Sequence, residues 1–296
     1  MIPIGRWMAM RLSRKISEAL QDAVVRLSPD VLSCIMQGRE EEASHASDVA
    51  SRTSLAVFDA ILQNLEIADN SCLPMCQDTG MFAVFVDLGR SCPLAPAQIE
   101  RAINEGALDA VQKAYYRRSV VTDPVFGRKN TQNNLPVIIN WTLVDGDGLA
   151  IRILLKGFGS ENCSSVRMLN PTGGPKAVID AVCDIVRLAG GKPCPPIFLG
   201  VGIGGTMDRS ALLSKRALLR DARLAHPDPA YAKLEEDILA SVQALGIGAG
   251  GFGGRVTALH VAIEEEPTHI AGMPLAVSIN CWADRKAEIV WEGEDA

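Results

Sequence analysis

The chain has 296 residues, of which 48% are hydrophobic and 22% charged, and this is enough apolar material for a large buried core. Its 29 lysine and arginine residues stand against 35 aspartate and glutamate residues, and the net charge of −6 creates no field that would attract nucleic acid. No run reaches the roughly 18 to 20 consecutive apolar residues that a membrane-spanning helix needs. The sequence therefore excludes a membrane-spanning protein and argues against a nucleic-acid partner.

The compartment is predicted from the N-terminus and the cysteines. No apolar secretory segment is recognisable at the N-terminus, although the arginine-rich, acid-free segment 1–15 leaves a transit peptide as the alternative. Eight cysteines at irregular spacing in a chain without an export signal indicate reduced thiols or metal ligands. We therefore expect a cytoplasmic protein.

The N-terminal part of the chain has helical periodicity. Apolar residues at helical spacing predict an amphipathic helix over 16–27, and Ser28-Pro-Asp marks its end and a new cap. A second helical pattern covers 51–65, after the polar, acidic stretch 39–48. About 70 residues at the N-terminus should therefore form a helical region.

After Pro74 the pattern changes to strands that alternate with helices. Short β-branched or aromatic runs predict strands at 82–88, 137–143, 149–155, 197–201 and 275–279, and helical patterns lie at 99–116, 175–189, 209–219 and 231–245. Such alternation predicts an α/β or α+β fold, with a mixed sheet, flanking helices and the helical N-terminal region. Asp145-Gly-Asp-Gly predicts a hairpin, so part of the sheet should be antiparallel. We expect one domain over 1–296, with a mixed core at about 74–296.

Glycine-bearing segments are the first candidates for a site. They are CQDTG at 76–80, KGFGSEN at 156–162, GVGIGGT at 200–206 and GIGAGGFGG at 246–254. Glycines at this density let backbone amides approach the anionic groups of a ligand. For each segment alone, a plain tight loop is the alternative.

Two of these segments match the dinucleotide-binding pattern G-x-G-x-x-G. The first match is Gly200–Gly205, which follows a strand-like run and precedes a helix, and the second is Gly246–Gly251, which follows a helical pattern. A bare glycine match is weak evidence, and the first match lies 200 residues into the chain. An NAD(P)-dependent oxidoreductase is nevertheless the alternative from another class of enzyme.

The cysteines fall into two groups. Cys76, Cys194 and Cys281 lie at strand or loop boundaries, where a thiolate can face a cavity, whereas Cys34 and Cys183 lie in helical apolar patterns and read as small core residues. Local C-x-x-C pairs of the kind that bind zinc are absent from the sequence. Spacing alone does not show that the first three cysteines converge.

Five segments, in this order along the chain, resemble the α-type catalytic domain of iron–sulfur hydro-lyases. This is the family of class I fumarate hydratases and L-tartrate dehydratase α subunits. The segments are CQDTG at 76–80, KGFGSEN at 156–162, PCPPIFLGVGIGGTMDRSALLSKRALLR at 193–220, GIGAGGFGGRVTALHVAI at 246–263 and THIAGMPLAVSINCWADRKA at 268–287. The resemblance covers about 16–290, nearly the whole chain.

The resemblance implies a 4Fe-4S cluster that is held by only three thiolates, at Cys76, Cys194 and Cys281. One iron would then have an open coordination position and could act as a Lewis acid toward a hydroxyl and a carboxylate. Cys163, after GSEN, departs from the family pattern. We interpret it as a bystander, with an oxidation-sensitive thiol as the alternative.

The resemblance also implies which residues contact the substrate. Arg117 matches the family's substrate-binding arginine, and its guanidinium can donate two parallel hydrogen bonds to a carboxylate. Gln77 would donate to a carboxylate, while Asp78 would orient a hydroxyl or relay a proton. Without the resemblance, Asp78 reads as an Asx-turn residue before Gly80.

Three further residues take roles from the same resemblance. Gly159 and Ser160 are the expected backbone donors of a carboxylate-contacting loop, in which Phe158 replaces a glycine common in the family. His269, twelve residues before Cys281, matches an active-site histidine, for which we expect a polar contact to substrate or a proton role.

The expected activity is the reversible hydration of a C4 dicarboxylate, with fumarate and (S)-malate as the first choice and L(+)-tartrate dehydration as the alternative. Mesaconate cannot be separated from these substrates by sequence. In single-chain members of the family a β-type domain follows, so we expect a separate β-type subunit here, for which an α2β2 complex fits. A third hypothesis is a non-catalytic iron–sulfur or scaffold protein.

Overall fold

The computed structural model of the protein describes residues 4–45 and 48–291, and these ranges contain eight helices and eight strands. The helices are α1 (Ile4–Ala23), α2 (Pro29–Ser44), α3 (Val49–Ser71), α4 (Pro96–Lys113), α5 (Phe158–Glu161), α6 (Gly174–Ala189), α7 (Met207–Ala217) and α8 (Pro229–Gln243). The strands are β1 (Met81–Gly89), β2 (Ile138–Val144), β3 (Leu149–Lys156), β4 (Ser165–Leu169), β5 (Ile197–Gly205), β6 (Ala258–Thr268), β7 (Met273–Asn280) and β8 (Lys286–Trp291). Short 3₁₀ turns lie at Pro171–Gly173 and Ala249–Gly251.

These elements form two compact units that do not follow chain order. Unit 1 comprises the described parts of Met1–Ser28, Leu65–Lys156 and Arg285–Ala296, and unit 2 comprises the described parts of Pro29–Asn64 and Gly157–Asp284. Each unit has its own four-stranded mixed sheet. The predicted α/β class and the helical N-terminal region are thus confirmed, with two mixed sheets in place of one. No helix in the described ranges is both long enough and apolar enough to cross a membrane.

Unit 1 is built on a sheet with the strand order β2-β1-β3-β8. Strand β2 is parallel to β1, whereas β3 is antiparallel to both of its neighbours, β1 and β8. The amphipathic helices α1 and α4 bury Leu12, Ile16, Ile99 and Ile103 in the core of this unit. The two helices approach closely at Gly106, where a Cβ atom would lie 2.6 Å from the carbonyl oxygen of Ser13.

The hairpin predicted at residues 145–148 is wrong. Strands β2 and β3 flank this turn but do not pair with each other, because β1 lies between them and pairs with both. The turn instead passes the end of β1, where the Gly89 amide donates to the Gly148 carbonyl at 2.9 Å. Residues 145–148 do end β2 and lead into β3, but β1, a strand from elsewhere in the chain, occupies the position of the hairpin partner.

Unit 2 is built on a sheet with the strand order β4-β7-β5-β6. Strand β5 is parallel to β6 and antiparallel to β7, and β4 is antiparallel to β7. Side chains of β5 alternate between the two faces of the sheet. Leu199, Val201 and Ile203 belong to the core that α6 and α8 also form, and the intervening glycines face α7.

The first G-x-G-x-x-G match is part of strand β5 and not a phosphate-binding loop. A Cβ atom at Gly200 would lie 2.0 Å from the Ser214 carbonyl oxygen, and one at Gly202 would lie 2.0 Å from that of Ser210. Only glycine therefore lets the backbone of α7 pack directly on this strand. The second match follows α8 and includes a 3₁₀ turn. The structure therefore contradicts the dinucleotide-loop interpretation.

The packing of α7 on β5 predicts the effect of a single methyl group. We expect Gly202→Ala to lower the free energy of unfolding by at least about 3 kcal/mol, because the new Cβ overlaps a helix carbonyl that cannot move alone. Gly148→Ala is the matched control, since no atom lies within 4 Å of its Cβ position; we expect it to change stability by less than about 0.5 kcal/mol. Urea denaturation of both variants measures the difference, and equal stabilities would contradict the packing.

Candidate active site

The segment CQDTG forms a tight loop between α3 and β1. The Gly80 amide donates to Asp78 Oδ1 at 3.1 Å, which is the Asx turn that the sequence alone predicts. Gly80 has a φ of +82°, and a Cβ atom there would lie 2.7 Å from the carbonyl carbon of Lys156, so only glycine fits. This turn leaves Cys76 partly buried and Gln77 exposed.

Two arginines form hydrogen bonds with this loop, one to a backbone carbonyl and one to the side chain of its threonine. Arg285 donates from Nη2 to the Asp78 carbonyl at 2.8 Å. The hydroxyl of Thr79, which is 1% exposed, accepts a hydrogen bond from the Arg117 amide at 3.1 Å. Unit 1 therefore brings together Gln77, Asp78 and Arg117, three of the residues that the sequence assigns to the substrate.

A buried asparagine fixes the backbone of Arg117 from the other side. Asn134 Nδ2 donates to the Arg117 carbonyl at 2.8 Å, and Asn134 Oδ1 accepts from the Ser119 amide at 2.8 Å. The guanidinium of Arg117 is exposed, as is that of its neighbour Arg118. The structure thus holds the Arg117 backbone on both sides and leaves its charged group open to a ligand.

In unit 2 the segment KGFGSEN forms the single turn α5. Ser160 is buried, and its hydroxyl lies 3.0 Å from the Gly157 carbonyl and 3.2 Å from Asn280 Oδ1. Asn280 is also buried and donates from Nδ2 to Asp284 Oδ1 at 2.5 Å. The side chain of Ser160 therefore fastens the loop to the end of β7, immediately before Cys281, so a ligand contact of Ser160 would involve its backbone.

The same loop lies beside the segment that carries Cys194. A Cβ atom at Gly159 would lie 3.9 Å from the Lys192 carbonyl oxygen. Cys194 itself is exposed and has a φ of +56°, a left-handed conformation that costs about 1–2 kcal/mol for a residue with a Cβ atom. Unit 2 thus places the predicted carboxylate loop next to the loop of one predicted ligand and, through Asn280, next to the strand end of another.

The glycine-rich segment 246–254 supports the Cys194 loop. The Gly250 amide donates to the Pro195 carbonyl at 2.8 Å, and a Cβ atom at Gly251 would lie 2.7 Å from the Cα atom of Gly191. Just beyond this segment, the fully buried Glu42 accepts a hydrogen bond from the Val256 amide at 3.0 Å. These glycines therefore allow two backbone segments to touch, which is a structural role.

A cavity of about 510 Å³ borders Gly159 and Lys192 in unit 2. Asn162, Cys163 and Arg167 also line it, and Arg167 pairs with Asp184 at 3.5 Å. The thiol of Cys163 lies 3.4 Å from the Gly159 carbonyl. The volume is in the range of small-molecule sites, and the lining includes two cations.

The three cysteines assigned as cluster ligands are divided between the units. Cys76 belongs to unit 1, while Cys194 and Cys281 belong to unit 2. Each unit thus contains at most two of the three thiols, and the described residues contain no group of three or more His, Cys, Asp or Glu side chains arranged to hold a metal ion. The assignment of the three ligands stays a prediction.

The cysteines expected in the core are buried. All eight cysteines are thiols rather than disulfides, and Cys34 and Cys183 are the buried ones. Burial raises the pKa of the Cys183 thiol, which makes it a poor metal ligand. The sequence-based separation of Cys34 and Cys183 from the other thiols is confirmed as far as burial is concerned.

His269 lies apart from the other predicted residues of its unit. It is exposed in the turn between β6 and β7, where its Nδ1 atom accepts a hydrogen bond from the Ala271 amide at 3.1 Å. The eight residues of β7 separate this turn from Cys281, a distance of about 23 Å for an extended strand. The catalytic role of His269 stays a prediction that this geometry does not support within one chain.

Sequence reasoning missed four residues that hold the site together: Asn134, Asn280, Arg285 and Glu42. Asn280 and Arg285 flank the Cys281 motif, so their position beside a predicted ligand was a signal. Glu42 lies in the acidic stretch 39–48, which α2 largely contains, and nothing in its surroundings in the sequence indicates that it binds residues more than 200 positions away.

Comparison with known proteins gives the family. Residues 13–290 match the family model described as fumarate hydratase (Fumerase). The chain belongs to this family. It is 36% identical over 284 residues to a protein of Methanocaldococcus jannaschii that is provisionally named L(+)-tartrate dehydratase subunit alpha, covering 94% of this chain and 96% of that protein.

Bacterial relatives carry the same name. The L(+)-tartrate dehydratase subunit alpha of Escherichia coli (strain UTI89 / UPEC) is 30% identical over 89% of this chain and 85% of its own length. The protein of that name from Shigella sonnei (strain Ss046) is 29% identical over 90% of this chain and 86% of its own length. Hydratase and dehydratase both denote the addition or removal of water, and this member of the fumarate hydratase family is a hydro-lyase.

The bond between Thr79 and Arg117 can be tested by removing one acceptor. We expect Thr79→Val to lower the free energy of unfolding by about 1 to 3 kcal/mol, because the Arg117 amide loses its partner in a partly buried place, and to accelerate hydrogen exchange of that amide. Thr53→Val is the control, since Thr53 is on the exposed surface of α3 and its hydroxyl donates only to the Val49 carbonyl. Unchanged exchange at Arg117 would contradict the contact.

Proposed function

We propose that this protein is the α subunit of a hydro-lyase that hydrates fumarate to (S)-malate reversibly. The observation that carries the proposal is the family match over residues 13–290, whose described name is fumarate hydratase. Dehydration of L(+)-tartrate is the second candidate, and the names of the relatives favour it. Both substrates are C4 dicarboxylates with a carboxylate beside the reacting carbon, so the chain's cations and amide donors suit either.

We also propose that Cys76, Cys194 and Cys281 hold a 4Fe-4S cluster. The donor set fits, because these three thiols lie at the ends of strands or in loops and are at least partly accessible, whereas Cys34 and Cys183 are buried within helices. Three thiolates on a four-iron cluster leave one iron open, which would supply a Lewis acid for the hydroxyl that leaves or adds.

The side chains of unit 1 would bind and orient the substrate. Arg117 presents an exposed guanidinium, which can donate two parallel hydrogen bonds to a carboxylate. Gln77 is exposed beside Cys76 and can donate its amide hydrogens. Asp78 has one carboxylate oxygen oriented by the Gly80 amide, which holds the group in place to orient a hydroxyl or relay a proton.

The loop of unit 2 would contribute backbone donors. Gly159 is in the first turn of α5, where an amide has no acceptor within the helix, and it borders the cavity described above. Ser160 can add its amide, since its hydroxyl is within reach of acceptors of the protein itself. For His269, the polar contact to substrate or the proton role that the resemblance assigns to it is kept as a separate proposal.

A separate β-type subunit would complete the enzyme. The relatives are named as α subunits, which supports the proposal that this chain also works with a partner. We propose that the partner supplies further substrate-binding and acid–base groups in an α2β2 complex. The residues that distinguish fumarate from tartrate or mesaconate would then be shared between the two chains.

The ligand assignment predicts opposite results for two cysteine variants. After anaerobic reconstitution, Cys194→Ser should lose the cluster, seen as loss of bound iron and sulfide and of the absorbance near about 400 nm from thiolate-to-iron charge transfer. Cys183→Ser should keep the wild-type content of iron and sulfide, since Cys183 lies in α6 and its thiol is buried in the core of unit 2. Equal cluster content in the two variants would refute the assignment.

The activity is tested by anaerobic assay of the chain together with its β-type subunit. We expect turnover of fumarate and (S)-malate, with mesaconate and both tartrate enantiomers assayed beside them. Preference for L(+)-tartrate would change the substrate and keep the reaction class. A cluster-loaded complex that turns over none of these acids would favour a scaffold protein, and activity only with a nicotinamide cofactor would refute the hydro-lyase proposal.

A further inference from the structure

Arg285 is a buried cation in unit 1 whose hydrogen-bonding capacity is only partly used. Its side chain is 1% exposed, and its Nη2 atom donates to the Asp78 carbonyl at 2.8 Å. Its Nε and Nη1 atoms are also buried and have no hydrogen-bond partner among the described residues. The backbone beside β8 is fixed, because the Arg285 carbonyl accepts from the Leu155 amide at 3.0 Å.

Such an arginine needs an explanation. A buried donor without an acceptor destabilises the folded state, and the effect is larger when the group is charged. Arg220 offers a comparison, because this largely buried arginine forms an ion pair with Glu235 and donates to the Ile263 carbonyl. Arg285 forms no ion pair with any described carboxylate, so its charge is matched only by the oxygen of one peptide group.

The position of the Arg285 guanidinium indicates its role. Its one acceptor, Asp78, lies two residues after Cys76 and directly after Gln77, and the next residue, Thr79, holds the backbone of Arg117. Residues 76–79 of one short loop therefore connect Arg285, the predicted substrate arginine Arg117 and the predicted cluster ligand Cys76. An iron–sulfur cluster with thiolate ligands is anionic, and hydrogen bonds to its sulfur atoms tune its potential.

We propose that Arg285 is a positioning residue of the iron–sulfur centre. It holds the loop of Cys76 through the Asp78 carbonyl, and its Nε and Nη1 hydrogens, which have no acceptor among the described residues, are the donors available to sulfur atoms of a cluster bound at that loop. The inference rests on the proposed function, because it requires a cluster at Cys76. It adds a residue of this chain that binds the centre from outside the ligand set.

Arg285→Gln and Arg285→Lys test the proposal in the full-length chain after anaerobic reconstitution. The readouts are iron and sulfide per chain, the rate of iron loss to a chelator, and the midpoint potential. For Arg285→Gln we expect iron loss about 10 to 100 times faster than in the wild type, the usual effect of removing an outer hydrogen-bond partner, and a lower potential because a nearby cation is gone. Arg285→Lys keeps the charge without the planar fork, so iron loss should be intermediate and the potential should be largely restored.

Arg152→Gln is the matched control. Arg152 lies in β3, which pairs with β8 in the sheet of unit 1. Its guanidinium is already paired with Asp87 at 2.7 Å and Glu288 at 2.8 Å. This variant removes the same charge from the same unit, and we expect wild-type iron loss and potential. A change equal to that of Arg285→Gln would show that net charge alone is responsible and would overturn the proposal.

The remaining outcomes separate this inference from the proposed function. If the wild-type chain takes up no cluster, the proposed function fails first. If it does and Arg285→Gln keeps wild-type iron loss and potential, the inference is overturned. If iron loss stays unchanged while the KM for the dicarboxylate rises, the guanidinium binds a substrate carboxylate and its assignment to the cluster is wrong. If circular dichroism shows that Arg285→Gln is unfolded, the test rests on Arg285→Lys. Iron loss from Arg285→Lys at the wild-type rate would then overturn the inference.

Discussion

Direct contact between backbone segments is the constraint on which the arrangement of this protein depends. Gly202 lets α7 lie on β5, Gly80 lets the loop after Cys76 turn against Lys156, and Gly251 packs on Gly191 beside the Cys194 loop. A methyl group at any of these positions would overlap another residue's backbone. The 26 glycines of the chain therefore include several that fix the positions of the predicted ligand loops, although the pattern alone resembles a nucleotide-binding signature.

Buried polar side chains then hold the loops that glycine makes possible. Thr79, Asn134, Glu42 and Asn280 are each almost inaccessible to solvent, and each bonds a backbone group or a side chain of a segment distant in sequence. A buried polar group is costly unless it is satisfied, so each such contact favours one arrangement of its loop over the alternatives. Predicted substrate residues such as Arg117 and Gln77 can therefore stay exposed while the backbone around them is fixed.

Each unit gathers its own part of the predicted chemistry. Unit 1 holds an exposed guanidinium, an amide, a carboxylate and one predicted ligand thiol around the loop 76–80, while unit 2 holds the other two predicted ligand thiols and the expected backbone donors of α5. A hydro-lyase has to bind carboxylates, stabilise a departing hydroxide and move a proton, and the predicted groups are of the chemical types that these tasks need. Arg285 is notable in this arrangement, because it follows Cys281 by four residues and yet contacts the loop of Cys76.

The family, the α/β class and most of the helices could be predicted from the amino-acid sequence. Helices such as α6 and α8 follow their predicted bounds closely, because an amphipathic pattern and a proline in the first turn are local signals. Strands β4, β6 and β8 were missed, and all three are edge strands, although the edge strand β2 was predicted from its β-branched and aromatic residues. Three features became visible only in the fold: β1 separates β2 from β3, Gly200–Gly205 is part of a strand, and Glu42 and Arg285 hold loops far from them in sequence. These are contacts between segments that are distant in sequence, and no local pattern of residues encodes which distant segment will pack against a given one.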